Sequence, residues 1–167
     1  EIVVDLELTP NPNSIEIDGG EGVGRVTKPG IGLEIGQAAI NPTPRKMIIE
    51  NLTEVGKEIL EKNGIKVMIS VPKGKELGPK TDNPRIGIVD GISILGTSGI
   101  VMPYSTASFA AAIRQQLDVV ISMGDDTVVL TTGGRSEDFA RNIFDLPDHS
   151  FVQFGDFSGY TISQCAK

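Results

Sequence analysis

Six basic side chains, Arg25, Lys28, Arg45, Lys46, Arg85 and Arg135, stand near the starts of expected elements, and small-residue loops at 96–99, 131–135 and 155–159 follow apolar runs. Such a set suits chemistry that depends on positioning a bound molecule more than on acid or base strength. Backbone N–H groups bared by glycine and the forked donors of arginine hold anionic groups. Group transfer from a bound cofactor therefore fits better than hydrolysis. The sequence has no Gly-x-x-x-x-Gly-Lys-Ser/Thr, no Gly-x-Ser-x-Gly with a partner histidine and no His-Glu-x-x-His, and Gly91–Gly96 lacks the glycine spacing of a dinucleotide site. His149, in Pro147-Asp148-His149-Ser150, reads as a solvated turn residue. Cys165 reads as packing on a terminal helix, and Asp125-Asp126 as solvated carboxylates capping a turn.

Charge narrows the partners. A net charge of −7 repels phosphate backbones and argues against general nucleic-acid binding, while leaving room for a local basic pocket that holds a polyanionic small molecule. One cysteine excludes an internal disulfide and a cysteine-based zinc site, and with one histidine a metal would have to rest on carboxylates, so no metal site is expected. No apolar run is long enough for a membrane span, and no basic-then-apolar amino terminus reads as a signal peptide. The expected setting is reducing and cytoplasmic.

The elements that must position these residues follow from periodicity. Residues 1–8 alternate as a strand with Ile2, Val4, Leu6 and Leu8 on one face, and 14–17 form a shorter one. Glycines crowd Asp18–Gly24, which reads either as a hairpin with a bulge or as a ligand-facing loop. Thr43 as N-cap and Pro44 at the first helical position open a helix whose Ile48, Leu52, Val55 and Ile59 face a core, ending at Asn63-Gly64. Arg45 and Lys46 oppose the dipole of its first turn, a small cost that hints at a ligand. Residues 65–71 form a strand and 73–83 a surface excursion or one helical turn.

Ile86–Pro103, an apolar strand feeding Gly96-Thr97-Ser98-Gly99, is the expected centre of the chain. Ser105 then caps a helix with Phe109, Ile113, Leu117 and Val120 on its apolar face. A strand at 127–130, a helix at 136–144, a strand at 151–154 and a final helix cut by the chain end complete the order. Alternation from Ile65 onward predicts an α/β fold: an amino-terminal α+β part over 1–64, then a three-layer α/β/α, Rossmann-like part with a mainly parallel sheet over 65–167, incomplete at its carboxyl end. The three loops would then crowd one sheet edge.

Three passages carry a family resemblance: Asp18-Gly-Gly-Glu-Gly-Val-Gly-Arg-Val-Thr-Lys-Pro-Gly30, Ile40-Asn-Pro-Thr-Pro-Arg45, and Asn83 through Val101 with Ile-Gly-Ile-Val-Asp-Gly-Ile-Ser-Ile-Leu-Gly-Thr-Ser-Gly. Together with Ile69-Ser-Val-Pro-Lys-Gly-Lys-Glu-Leu77 they resemble the CbiD family of anaerobic cobalamin biosynthesis, the cobalt-precorrin-5B C1-methyltransferases. Family members begin with a threonine-, glycine- and alanine-rich segment and continue past the last helix, so the chain looks truncated at both ends. The resemblance implies S-adenosylmethionine as methyl donor and a cobalt-containing corrin precursor as acceptor, converted from cobalt-precorrin-5B to cobalt-precorrin-6A, with cobalt present only in the substrate.

On that resemblance the donor is expected on Gly96, Thr97, Ser98, Gly99, Thr131, Gly133 and Gly134, with Asp90 or Asp156 on the ribose hydroxyls. The corrin carboxylates fall to Arg25, Lys28, Arg45 and Arg85, and any proton removal to Glu21. A homo-oligomer is compatible with this reading. The rival is a non-catalytic α/β module that binds a corrin or nucleotide for a partner; a phosphosugar-handling enzyme rests on the glycine loops alone.

Overall fold

A computed structural model describes residues 1–96, 100 and 105–166. The chain is mixed α/β and divides into two compact units, Glu1–Thr27 with Leu33–Val101, and Lys28–Gly32 with Met102–Lys167. The boundary expected after Gly64 therefore falls inside the first unit. The reason is pairing: the strand that begins at Gly64 is the middle strand of that unit's sheet.

That sheet joins β1 (Val3–Thr9), β2 (Ile15–Gly19) and the later strand Gly64–Ser70, in the spatial order first, last, second. The first unit continues with β3 (Arg25–Val26), α1 (Pro42–Val55), α2 (Lys57–Leu60), the strand Gly64–Ser70 as β4, α3 (Gly74–Leu77) and β5 (Ile88–Val89). β4 runs antiparallel to β1 and parallel to β2, with Ile17 opposite Val67. Alternate residues Ile65, Val67 and Ile69 of β4 are buried, and Ile48 and Leu52 of α1 pack on that cluster. Val4, Leu6 and Leu8 share one face of β1 as expected, yet stay 53–59% exposed.

The helix starts one proline earlier than its sequence suggests. Asn41, extended at φ −64° and ψ 159°, is the N-cap, and Pro42 takes the position where a missing N–H costs nothing. Gly56 then ends α1, so Val55 and Ile59 fall off the buried face and are 81% and 47% exposed.

The expected central strand is broken into pieces. Gly87 and Asp90 both sit at positive φ, leaving only Ile88–Val89 to pair, antiparallel, with β3. Ile92 and Ile94 add isolated parallel bridges to Val23 and Ile40. The glycine-rich segment 18–24 is accordingly no hairpin: β2 pairs with β4, and β3 pairs with β5. Its glycines serve close approach. A Cβ on Gly22 would meet the Val71 carbonyl, and one on Gly74 or Gly91 would meet the Gly22 carbonyl.

The second unit holds α4 (Thr106–Ser122), β6 (Val129–Thr131), α5 (Gly134–Arg141), β7 (Phe151–Gln153) and α6 (Ser158–Cys165). Ser105 caps α4 as its position implies, its Oγ accepting the Ser108 N–H at 3.2 Å. β6 and β7 are parallel, Val129 opposite Phe151. Ile113, Leu117 and Val120 of α4 bury Val152, with Leu130, Phe157 and Tyr160 packed around them. Phe151 and Gln153, which alternate to the other side, are reached from α5 by Arg141 and Glu137. The four-strand parallel sheet expected from Ile65 onward is thus reduced to this pair, because β4 and β5 are claimed by partners in the first unit.

Close approach at Gly74 and open space at Gly159 make a paired test. Gly74→Ala is expected to lower stability by about 1–3 kcal/mol through overpacking. Gly159→Ala, in α6 with nothing within 4 Å of its Cβ, is expected to be neutral or slightly stabilising. Urea unfolding midpoints compare the two variants directly.

Candidate functional site

Arginine chemistry dominates the first unit, and most of it is spent on the fold. Arg25 on β3 grips Asp18 at the end of β2 with both nitrogens, Nη1 to Oδ1 at 2.8 Å and Nη2 to Oδ2 at 3.2 Å, and donates to the Gly19 carbonyl at 2.5 Å. Arg45 turns back from the first turn of α1. Its Nε donates to the Ile40 carbonyl at 2.9 Å, Nη1 to Ile17 at 2.8 Å and Nη2 to Ala38 at 3.4 Å. The guanidinium whose charge opposes the helix dipole is therefore taken up by three backbone carbonyls.

Burial alone would raise the Asp18 pKa, but hydrogen bonds from Arg25 and from the Gly19 N–H, with the charges of Arg25 and Arg45, hold it below the usual carboxylate value. Arg85 lies 3.7 Å from Asp82. Glu21 is exposed and contributes its carbonyl to the Val71 N–H at 2.7 Å. Asp90 is exposed at φ 62°, and Gly96 has φ 156° with open space at its Cβ position. Thr97, Ser98 and Gly99 lie outside the described residues.

In the second unit the structure brings together residues that no spacing connects. His149 is buried, with Nε2 2.6 Å from Asp125 Oδ2 and Nδ1 3.3 Å from Lys28 Nζ; Ser150 Oγ donates to the same Asp125 oxygen at 3.1 Å. With Nε2–H donating to the carboxylate, Nδ1 accepts from the lysine ammonium. His149 and Asp125 are thus a paired set, where the sequence suggested solvated turn residues. Lys28 has its pKa pulled down by burial, opposed by the charges of Asp148 and Asp125. Beside it, the buried Glu137 carboxylate accepts from Arg141 Nε at 2.9 Å and from Gln153 Nε2 at 2.9 Å, and Arg141 also binds Asp148 at 2.6 Å. Such satisfaction is what a buried charge requires, and it fixes α5 on the strands.

The strand-end loops do meet. The Phe154 N–H donates to the Thr131 carbonyl at 2.9 Å, so the chain leaves β6 and β7 side by side. Gly133 follows in extended conformation, and Ser136 Oγ closes that turn by donating to the Gly133 carbonyl at 2.8 Å. Thr131 is 5% exposed, and its hydroxyl has no hydrogen-bond partner among the described residues. A Cβ on Gly133, Gly134 or Gly155 would meet nothing within 4 Å. Asp156 is exposed in the same loop. Thr131, Gly133, Gly134 and Asp156 are therefore neighbours at one edge, whereas Asp90 and Gly96 belong to the first unit.

Residues 1–103 match the family model described as CbiD. The chain is 54% identical over 167 residues to the cobalt-precorrin-5B C(1)-methyltransferase of Geobacillus kaustophilus, covering 99% of this chain and 45% of that protein. It is 50% identical to the protein of the same name from Dechloromonas aromatica, covering 99% and 43%. It spans less than half the length of these curated relatives. A crystal structure of the cobalamin biosynthesis protein cbiD from Archaeoglobus fulgidus is similar with a TM-score of 0.44 and 26% identity, over 98% of this chain and 50% of that one.

The Asp18 pairing predicts an acid-side loss. A carboxyl whose folded pKa lies below its unfolded one contributes stability above the unfolded value of about 3.8, and that contribution disappears as pH falls through the folded value. In urea titrations from pH 6 down to pH 3, Asp18→Asn is expected to start less stable than the parent and to lose less as pH falls below about 4.

Proposed function

We propose that this chain, which belongs to the CbiD family, serves an S-adenosylmethionine-dependent methyl transfer to ring carbon C1 of cobalt-precorrin-5B, giving cobalt-precorrin-6A in cobalamin biosynthesis. The observation that carries this reading is identity of 50–54% across nearly all of the chain with methyltransferases of that name. No helix among the described residues is long and apolar enough to cross a membrane, and a cytoplasmic setting is part of the proposal.

For the donor, we read the β6 and β7 ends as a Rossmann-like carboxyl edge. The buried Thr131 hydroxyl has no partner among the described residues, the Cβ positions of Gly133, Gly134 and Gly155 are open, and Asp156 is exposed; these suit an amphipathic ligand with hydroxyl, carboxylate and ring portions. Within the first unit, Arg25, Arg45 and Arg85 are the proposed contacts for corrin carboxylates, with Arg25 and Arg45 shared with the groups they already hold. Glu21, exposed on the loop between β2 and β3, is the proposed acceptor for any proton released.

The transfer supplies its own driving chemistry. The electron pair of the ring carbon forms the new C–C bond while the S–CH3 pair returns to sulfur, leaving a neutral thioether. The residues then need only hold the carbon, methyl and sulfur in line and keep water out. Incubation of the chain with methyl-labelled S-adenosylmethionine and cobalt-precorrin-5B is expected to place label on the corrin. Binding of both molecules to folded protein with no label transferred would overturn the catalytic reading in favour of a binding module.

A further inference from the structure

The apolar face of α4 carries one residue the core does not use. Ile113, Leu117 and Val120 are buried, while Phe109, one turn closer to the helix start, is 55% exposed. Its ring is nevertheless fixed in place: it stacks on Phe157, with centroids 5.7 Å apart and planes within 4° of parallel. Phe157 is itself anchored against the cluster of Ile113, Leu117, Val120 and Val152, so the outer ring rests on a rigid base.

The pair stands at the strand-end edge. Phe157 caps α6 at the close of the loop that leaves β7, its N–H donating to the Phe154 carbonyl at 2.9 Å. The Phe154 N–H in turn donates to the carbonyl of Thr131, whose own buried hydroxyl has no partner among the described residues. An aromatic face, an unmatched hydroxyl and glycines with open space at their Cβ positions thus occur along one hydrogen-bonded run of chain ends. Core packing accounts for none of the three, since Phe109 is out of the core, the hydroxyl is unsatisfied, and extended Gly133 and helical Gly134 occupy backbone conformations open to other residues.

We infer that the stacked Phe109–Phe157 pair is a platform for the flat heteroaromatic ring of a ligand bound at the β6 and β7 ends, namely the adenine of an adenosyl group. This rests on the donor reading above and adds the element that recognises the base. Stacking is tolerant of hydrogen-bond pattern but needs a rigid face, which Phe157 supplies. Phe109 and Phe157 are positioned to bind, and no chemistry is asked of either.

The chain has no tryptophan, so Phe109→Trp would introduce a single indole at the platform. Calorimetry on the parent and on Phe109→Leu is paired with fluorescence of Phe109→Trp, using S-adenosylhomocysteine, adenosine and homocysteine as probes. Phe109→Leu is expected to bind S-adenosylhomocysteine about tenfold more weakly than the parent, the lower end of a lost base stack, with an unchanged unfolding midpoint. The indole should be quenched saturably by adenosine and S-adenosylhomocysteine and not by homocysteine. Parent-like affinity in Phe109→Leu, or an indole that ignores an adenosyl ligand shown by calorimetry to be bound, would overturn the platform while leaving the donor reading intact. Quenching by adenosine without any binding of S-adenosylhomocysteine or S-adenosylmethionine would keep the platform and sink the donor reading. Folded chain that takes up neither adenosine nor S-adenosylhomocysteine overturns the inference.

Discussion

Backbone meeting backbone without side chains between is the constraint on which the first unit depends. The Gly22 carbonyl lies against both Gly74 and Gly91, and Gly22 itself, at φ 73°, lies against the Val71 carbonyl. The loop after β2, the start of α3 and the turn after β5 are thereby held at a separation that any Cβ would forbid. Two of the three passages most typical of the family, Asp18–Gly30 and Asn83–Val101, meet at this junction. Gly22 and Gly91 are explained by packing alone, with no ligand required. Arg25 and Arg45 secure the same region by taking up a carboxylate and backbone carbonyls that the short strands leave over.

Glycines in the second unit follow a different logic. Gly133, Gly134 and Gly159 have no neighbour within 4 Å of a Cβ and no φ in the left-handed region, so neither crowding nor conformation demands them. The same residue type thus marks a tight joint in one unit and a bared surface in the other. Composition could not separate these uses, because both look like glycine-rich loops after strands.

Local signals were legible in the sequence, and long-range choices were not. Ser105 announced the start of α4, and β4, β6 and β7 lie close to where alternation put them, since caps and periodicity act over a few residues. Pairing depends on which edges are free, and nothing in Ile65–Val71 says that β1 and β2 will claim it first. Asp90 and Gly87 broke the expected central strand through backbone conformation, which an apolar pattern does not report. The Lys28–His149–Asp125 set joins residues far apart in sequence, and a polar residue in a proline-flanked turn gives no sign of its burial. Thr131, Gly133, Gly134 and Asp156 all follow β6 or β7, as the alternation implied, whereas Phe109 keeps helical spacing with core residues and is nevertheless exposed.

β1 has a consequence for how this protein behaves at high concentration. It is the outermost strand of its sheet, with β4 on one side and a row of backbone donors and acceptors on the other, and it shows Val4, Leu6 and Leu8 to solvent. That is a template on which a further strand could grow. Between those residues stand Asp5 and Glu7. In-register stacking of identical copies would set each carboxylate against its own image, so the strand that invites fibrillar growth also carries its gatekeepers. Their protection is electrostatic, and it fades in strong salt.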